Sequence, residues 1–109
     1  MNTHVKNAII AHALSAPTEE VCGLVYYTES ETVAHPCANV TRDEGGRSAA
    51  FEIDPQDYIT ARGLGVVCGI YHSHSRGGAH GFSEGDLELA AVMDLPMYLY
   101  VVDTGAWLS

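Results

Sequence analysis

The chain has 109 residues, which is enough for one domain with a hydrophobic core and too few for two. Its 14 acidic and 5 basic residues give a net charge of −9, which argues against nucleic acid and anionic membranes as partners. Three cysteines without a C-x-x-C pair, and no visible signal peptide, predict a cytoplasmic protein in a reducing compartment.

The first half of the chain predicts a helix and then a hairpin. The predicted segments are a helix over 4–15, a strand over Val21–Tyr27 and a return strand over Thr32–Cys37. Thr3 can cap the helix, and Pro36 indicates that the return strand either lies at a sheet edge or ends there. The charged, glycine-containing segment 41–48 predicts a surface loop.

The second half alternates strands and helices less regularly. The predicted segments are a short strand over 50–53, a helix from Asp54-Pro55, a buried strand over Val66–Tyr71, a helix from Ser83, a strand over 96–102 and the start of another at Ala106–Leu108. Strict βαβ repetition is missing. The pattern therefore predicts one α/β domain over residues 1–109, a mixed β-sheet flanked by helices in two or three layers.

The chemistry of the chain concentrates where the buried strand ends. His72 and His74 are two residues apart, so both imidazoles point to the same face of the strand. Two imidazoles supply two of the three protein ligands of a catalytic zinc, and Asp86 in the first turn of a helix can supply the third. The acidic pair Glu19-Glu20, just before the first strand, can provide a general base.

Each of these signals also has a purely structural interpretation. An H-x-H pair occurs by chance in many proteins. Ser83 and Asp86 have the spacing of a helix capping box that involves no metal. Glu19 and Glu20 can be two solvated charges. The order of the signals, with a buried strand leading into the histidines, favours the zinc site over these alternatives.

The chain resembles the JAMM (MPN+) zinc metalloproteases over nearly its whole length. The resemblance rests on three segments: Glu20–Leu24, His72–His74 and Ser83–Asp86. These segments match that family's pattern of a glutamate before a strand, then H-x-H, then S-x-x-D. The resemblance implies a three-layer fold like that of the cytidine deaminases and hydrolysis of a peptide or isopeptide bond.

The resemblance also implies a role for each matching residue. His72, His74 and Asp86 would bind Zn²⁺. Glu20 would act as general base on zinc-bound water and then as acid to the leaving amine, with Glu19 as the fallback. Ser83 would donate a hydrogen bond to the oxyanion.

Within this family the chain also resembles the N-terminal domains of phage lambda-type tail-assembly K proteins. The similar segments are Glu20–Leu24, His35–Asn39, Phe51–Tyr58 and Gly69–His74. Those proteins usually carry a second, cysteine-peptidase domain, so the chain is expected to be either a trimmed part or a stand-alone member. The expected partner is a protein or peptide substrate, either a phage tail protein or a ubiquitin-like protein.

The sequence departs from the family pattern in the loop after the histidines. Ser75 stands where the family usually has proline, and the loop is about one residue longer than usual. Both changes are expected to loosen the turn that positions Ser83 and Asp86. Two other functions therefore stay open: a metal-free interaction or assembly module, and a zinc-binding domain without turnover. His80 in the same loop is interpreted as solvated, and Cys22 as part of the core.

Overall fold

A computed structural model describes residues 1–109 and contains three helices and five strands. In chain order they are α1 (Thr3–Ser15), β1 (Cys22–Tyr27), β2 (Thr32–Cys37), α2 (Pro55–Leu64), β3 (Val66–His74), α3 (Glu84–Met93), β4 (Met97–Val101) and β5 (Ala106–Leu108), with a 3₁₀ turn at Gly46–Ser48. None of the helices combines the length and the apolar character needed to cross a membrane.

The five strands form one mixed sheet in the order β2-β1-β3-β4-β5. β1 pairs antiparallel with both β2 and β3, whereas β4 runs parallel to β3 after the crossover through α3. β5 closes the far edge antiparallel to β4. The predicted edge position of the strand containing Pro36 is confirmed, and the strand that carries the histidines lies at the centre of the sheet.

The helices cover both faces of the sheet, which confirms the three-layer α/β arrangement. On one face α1 buries Val5, Ile9 and Ala13 against Val25 and Tyr71. On the other face, α2 and α3 pack through Ala61, Leu89 and Ala90 against a cluster that includes Leu24 and Ile70. Because side chains alternate along a strand, His72 and His74 share the face of Ile70, beneath α2 and α3.

Three predicted features differ from the structure. The N-cap of α1 is Asn2, not Thr3, because the Asn2 side chain accepts a hydrogen bond from the Val5 amide at 2.8 Å. β3 continues through His74, so both histidines lie inside the strand. Residues 50–53 form no strand. Only Ile53 makes an isolated bridge, to Asn39, and the neighbouring backbone groups bond to the Asn39 side chain instead.

Candidate metal centre

Three nitrogen and oxygen atoms from β3 and α3 converge at one point beneath the sheet. The Nε2 atoms of His72 and His74 are 3.3 Å apart, and each lies 3.1 Å from Oδ2 of Asp86. All three residues are buried. The structure therefore brings together the three residues that the sequence nominates as metal ligands.

The spacing of these atoms fits a zinc ion. Ligand atoms at Zn–N and Zn–O distances of about 2.0–2.1 Å in a tetrahedron lie about 3.3 Å from one another. The observed separations of 3.1–3.3 Å agree with that value. Two imidazoles and one carboxylate are also a donor set that zinc accepts in catalytic sites, so the residues present fit the metal.

The charges of the three residues are coupled. Burial opposes ionisation of Asp86, but hydrogen bonds with His72 and His74 outweigh it and hold the pKa of that carboxyl well below its usual range. The hydrogen bond with Asp86 raises the pKa of His74, whereas burial lowers the pKa of His72. The centre thus keeps an anionic carboxylate whose charge a divalent cation can neutralise.

Each imidazole is oriented by a second contact. Nδ1 of His74 donates to the carbonyl of Ala79 at 2.9 Å, so in the neutral imidazole the lone pair is on Nε2, the atom that faces the centre and could bind a metal. Nδ1 of His72 has no hydrogen-bond partner; instead the Phe51 ring stacks on this imidazole with centroids 4.6 Å apart. Packing against Phe51 therefore replaces the polar partner that a metal-ligating histidine usually has.

Glu20 lies beside the histidine pair. Its carboxylate oxygen and one ring nitrogen of each histidine all lie within 4.8 Å of one another, so Glu20, His72 and His74 also form a cluster that could hold a metal. Burial raises the pKa of the Glu20 carboxyl to about 7, with His74 opposing part of the rise and Asp86 adding to it. Such a group can accept and return a proton near neutral pH.

The two adjacent glutamates face different surroundings. Glu20 is 9% exposed and lines the cavity, whereas the Glu19 side chain is 43% exposed and lies 3.6 Å from the Arg47 guanidinium. Backbone contacts on both sides of Glu20 fix this difference. The Val21 amide donates to Oγ of Ser73 at 3.0 Å, and the Glu20 amide donates to the carbonyl of Arg47. The structure brings Glu20 to the histidines, while Glu19 faces solvent.

Ser83 and Asp86 form a capping box at the start of α3. The Asp86 amide donates to Oγ of Ser83 at 3.1 Å, and the Ser83 amide donates to Oδ2 of Asp86 at 2.9 Å. Because the Ser83 hydroxyl accepts in this box, its own hydrogen stays available to another acceptor. Ser83 and Asp86 can therefore cap α3 and also take part in a metal site, so the two interpretations are compatible.

A cavity of about 440 Å³ opens beside these residues. Its lining includes the segment Ser48–Phe51, Gly78 and Ala79 of the loop after β3, and the first turn of α3. Glu20, His74, Ser83 and Asp86 all reach this space. A molecule bound in the cavity would therefore contact both carboxylates and the Ser83 hydroxyl.

The loop after β3 is anchored where the sequence predicts that it is loose. Ser75 is buried, and its hydroxyl donates to the Ser48 carbonyl at 2.8 Å. The Arg76 amide donates to the carbonyl of Pro17 at 2.9 Å. The hydrogen bonds of Ser75 and Arg76 therefore anchor the start of the loop, and the effect of its extra residue on Ser83 and Asp86 stays a prediction.

His80 and Cys22 agree with their structural interpretations. The His80 side chain is 64% exposed, and its nearest charged neighbour is Asp103, 3.8 Å away. Cys22 is fully buried in the cluster with Leu24, and burial raises the pKa of its thiol to about 12. A thiol with this pKa stays protonated and is not a nucleophile near neutral pH.

Three residues that support the centre carry no signal in the sequence. Asn39, Phe51 and Ala79 act through a side-chain amide, a stacked ring and a backbone carbonyl. Asn39 and Phe51 fall within segments that the family resemblance had already marked, but neither has a neighbour at a spacing typical of a functional site. Only the three-dimensional contacts reveal what they do.

Two comparisons with known proteins bear on this geometry. The sequence profile of the prokaryotic homologues of the JAB domain matches residues 2–109. The tail tip assembly protein K of Escherichia phage N15 is 34% identical over 68 residues, which are 62% of this chain and 27% of the phage protein. The chain thus matches about a quarter of the length of that relative. Since the family profile spans almost every residue, the chain belongs to the prokaryotic homologues of the JAB domain.

Proposed function

We propose that this protein is a zinc-dependent hydrolase that cleaves a peptide or isopeptide bond, with His72, His74 and Asp86 as ligands and Glu20 as general base. The observation that carries the proposal is the convergence of two Nε2 atoms and one carboxylate oxygen at 3.1–3.3 Å, with Glu20 beside them. Zinc bound there would polarise a substrate carbonyl and lower the pKa of a bound water to about 7.

The position and environment of Glu20 support its role as the group that moves the proton. It is a buried carboxylate with an oxygen within 4.8 Å of a ring nitrogen of each histidine. Burial raises the pKa of this carboxyl, which favours a group that takes a proton from the attacking water and gives one to the leaving nitrogen.

We expect Ser83 to stabilise negative charge on the substrate oxygen. Its hydroxyl oxygen is held by the Asp86 amide at 3.1 Å, and its side chain lines the cavity. A hydroxyl fixed in this way can donate its hydrogen to the oxyanion that forms when the carbonyl becomes tetrahedral. Because the same bond caps α3, we expect Ser83 to be oriented before any substrate binds.

The substrate we propose is a protein or a peptide. The similarity to a tail tip assembly protein favours a phage tail protein, processed in the host cytoplasm during assembly. A ubiquitin-like protein is the second substrate class. The net charge of −9 argues against nucleic acid in either case.

The first prediction compares two adjacent glutamates. Zinc-loaded wild-type protein should contain about one zinc per chain by elemental analysis. Glu20→Gln should retain the metal but lose hydrolysis by at least about 100-fold, because the general base is gone. Glu19→Gln is the matched control and should keep full activity, since Glu19 pairs with Arg47 at the surface.

Panels of fluorogenic peptides and of lysine-isopeptide probes provide the activity measurement. Full activity in Glu20→Gln would show that the mechanism is wrong. Absence of zinc after loading would show that the metal assignment is wrong.

A catalytically inactive assembly module is the second candidate function. The name of the phage relative, which refers to assembly, favours this alternative. Such a module could keep its fold and even its zinc without cleaving any probe. In that case the wild-type protein and Glu20→Gln would bind a tail protein with equal affinity. An enzyme would instead show turnover that depends on Glu20.

A further inference from the structure

We propose that Asn39 is a positioning residue that sets Glu20 and Phe51 in place against the histidine pair. The inference rests on the proposed function, in which Glu20 moves the proton. It starts from one half-buried amide that joins three separate segments of the chain: the approach to β1, the stretch after β2 and the wall of the cavity.

The Asn39 side chain uses its full hydrogen-bonding capacity. Nδ2 donates to the carbonyls of Glu20 and Ala50, both at 2.9 Å. Oδ1 accepts from the amides of Thr41 and Glu52, both at 3.1 Å. Two donors face two carbonyls and one acceptor faces two N–H groups, so only asparagine in this orientation satisfies all four partners.

The first consequence concerns Glu20. Its carbonyl is held by Asn39, its amide by the carbonyl of Arg47, and the next residue by Ser73 of β3. The backbone at Glu20 is therefore held to β3, which carries the two histidines, and through Asn39 to Ala50, which lines the cavity. Removing the Asn39 side chain would leave the Glu20 carbonyl without this hydrogen bond and the backbone at Glu20 less restrained.

The second consequence concerns Phe51. The Asn39 amide binds the carbonyl of Ala50 and the amide of Glu52, the two residues on either side of Phe51. Because residues 50–53 pair with no strand apart from the bridge at Ile53, these bonds replace a sheet ladder. They hold the Phe51 ring in its stack on His72, the imidazole without a polar partner at Nδ1.

The test uses two variants of Asn39 and one control in the same segment. Asn39→Ala removes all four bonds. Asn39→Asp keeps the shape and the acceptor but turns an oxygen toward the carbonyls of Glu20 and Ala50. Arg42→Ala is the matched control, because it removes an exposed contact with Glu52 at 3.4 Å and leaves the Asn39 bonds intact.

Two measurements are made on the zinc-saturated full chain. Amide hydrogen exchange followed by NMR reports on Thr41 and Glu52, whose N–H groups donate to Oδ1 of Asn39. These two amides should exchange at least about tenfold faster in Asn39→Ala, whereas Asn39→Asp keeps the acceptor and should leave them protected. With the peptide and isopeptide panels, kcat should fall about 100-fold, as expected for a base displaced by about 1 Å, while KM changes by less than about threefold. Arg42→Ala should match wild type in both measurements.

The outcomes separate this inference from the proposed function. Unchanged exchange at Thr41 and Glu52 in Asn39→Ala, or kcat within about twofold of wild type in either variant, overturns the positioning role. If both variants unfold, the role is also overturned, because Asn39 would then maintain the whole fold. If the wild-type protein binds zinc but cleaves no probe, the proposed function fails, and the exchange measurement alone decides whether Asn39 holds the two segments.

Discussion

Oδ2 of Asp86 serves the helix cap and the candidate metal centre at the same time. It accepts from the Ser83 amide at 2.9 Å and lies 3.1 Å from Nε2 of both histidines. Glu20 is the other carboxylate within reach of the histidines. Replacing each carboxylate in turn and measuring zinc affinity would therefore show which of the two is the ligand.

The second prediction tests which carboxylate binds zinc. Asp86→Asn keeps an oxygen for the Ser83 amide but removes the charge, so zinc affinity should fall by at least about 10- to 100-fold in a competition with a chromophoric chelator. Glu84→Gln is the control, because Glu84 lies in the same exposed turn outside the centre and should leave affinity unchanged. Loss of affinity in Glu20→Gln with retention in Asp86→Asn would instead assign Glu20 as the ligand.

The ligand candidates could be read from the sequence, but the residues that support them could not. Alternation along β3 predicts that His72 and His74 share a face, and the capping pattern predicts where Asp86 enters α3. The contacts of His74 with the Ala79 carbonyl and of Asn39 with Glu20 join a side chain to a backbone group. Every residue type has a backbone carbonyl, so the sequence does not indicate which carbonyl a given side chain will bind.

At the scale of elements, the contact between β1 and β3 depends on one glycine. Gly23 pairs with Tyr71 across the two strands, and a Cβ at position 23 would overlap the Tyr71 ring. That ring is fully buried, and its hydroxyl lies 2.6 Å from Nδ1 of His12 in α1. Gly23 therefore makes room for a side chain that links the central strand to the helix above it.

The third prediction concerns this close approach. Gly23→Ala should lower the free energy of unfolding in urea by about 1–3 kcal/mol, as overpacking of a core does. Gly63→Ala is the matched control. Position 63 lies in α2 and faces open space, so the added methyl should raise stability by about 0.5–1 kcal/mol. Equal stability of Gly23→Ala and wild type would show that Tyr71 can move aside at little cost.

Most elements were predictable because their boundaries carry local signals. Asp54 caps α2 with Pro55 at its first position, and Ser83 caps α3, as the sequence indicates. The error at residues 50–53 has a different cause. That segment has the alternation of a strand, but its only strand-like pairing is the bridge at Ile53, and the Asn39 side chain binds the Ala50 carbonyl and the Glu52 amide. Strand pairing is a tertiary property that alternation alone does not report.

At the scale of the whole molecule, the candidate ligands come from two layers of the fold. His72 and His74 belong to the central strand, whereas Asp86 belongs to α3. The apolar contact of α3 with the sheet is modest, since its packing residues are only partly buried and both Leu87 and Val92 are exposed. A metal bound to all three ligands would therefore cross-link α3 to the sheet.

The last prediction follows from this cross-link. Zinc at about 100 times its Kd should add about 2.7 kcal/mol of stability and raise Tm by about 10 °C, because it binds only the folded chain. Amide exchange should slow most in α3 and least in α1, which packs on the opposite face of the sheet and contacts no ligand. Asp86→Asn should lose both effects. A rise in Tm without slower exchange in α3 would mean that zinc binds away from Asp86, since only a ligand on that helix transmits the stabilisation to it.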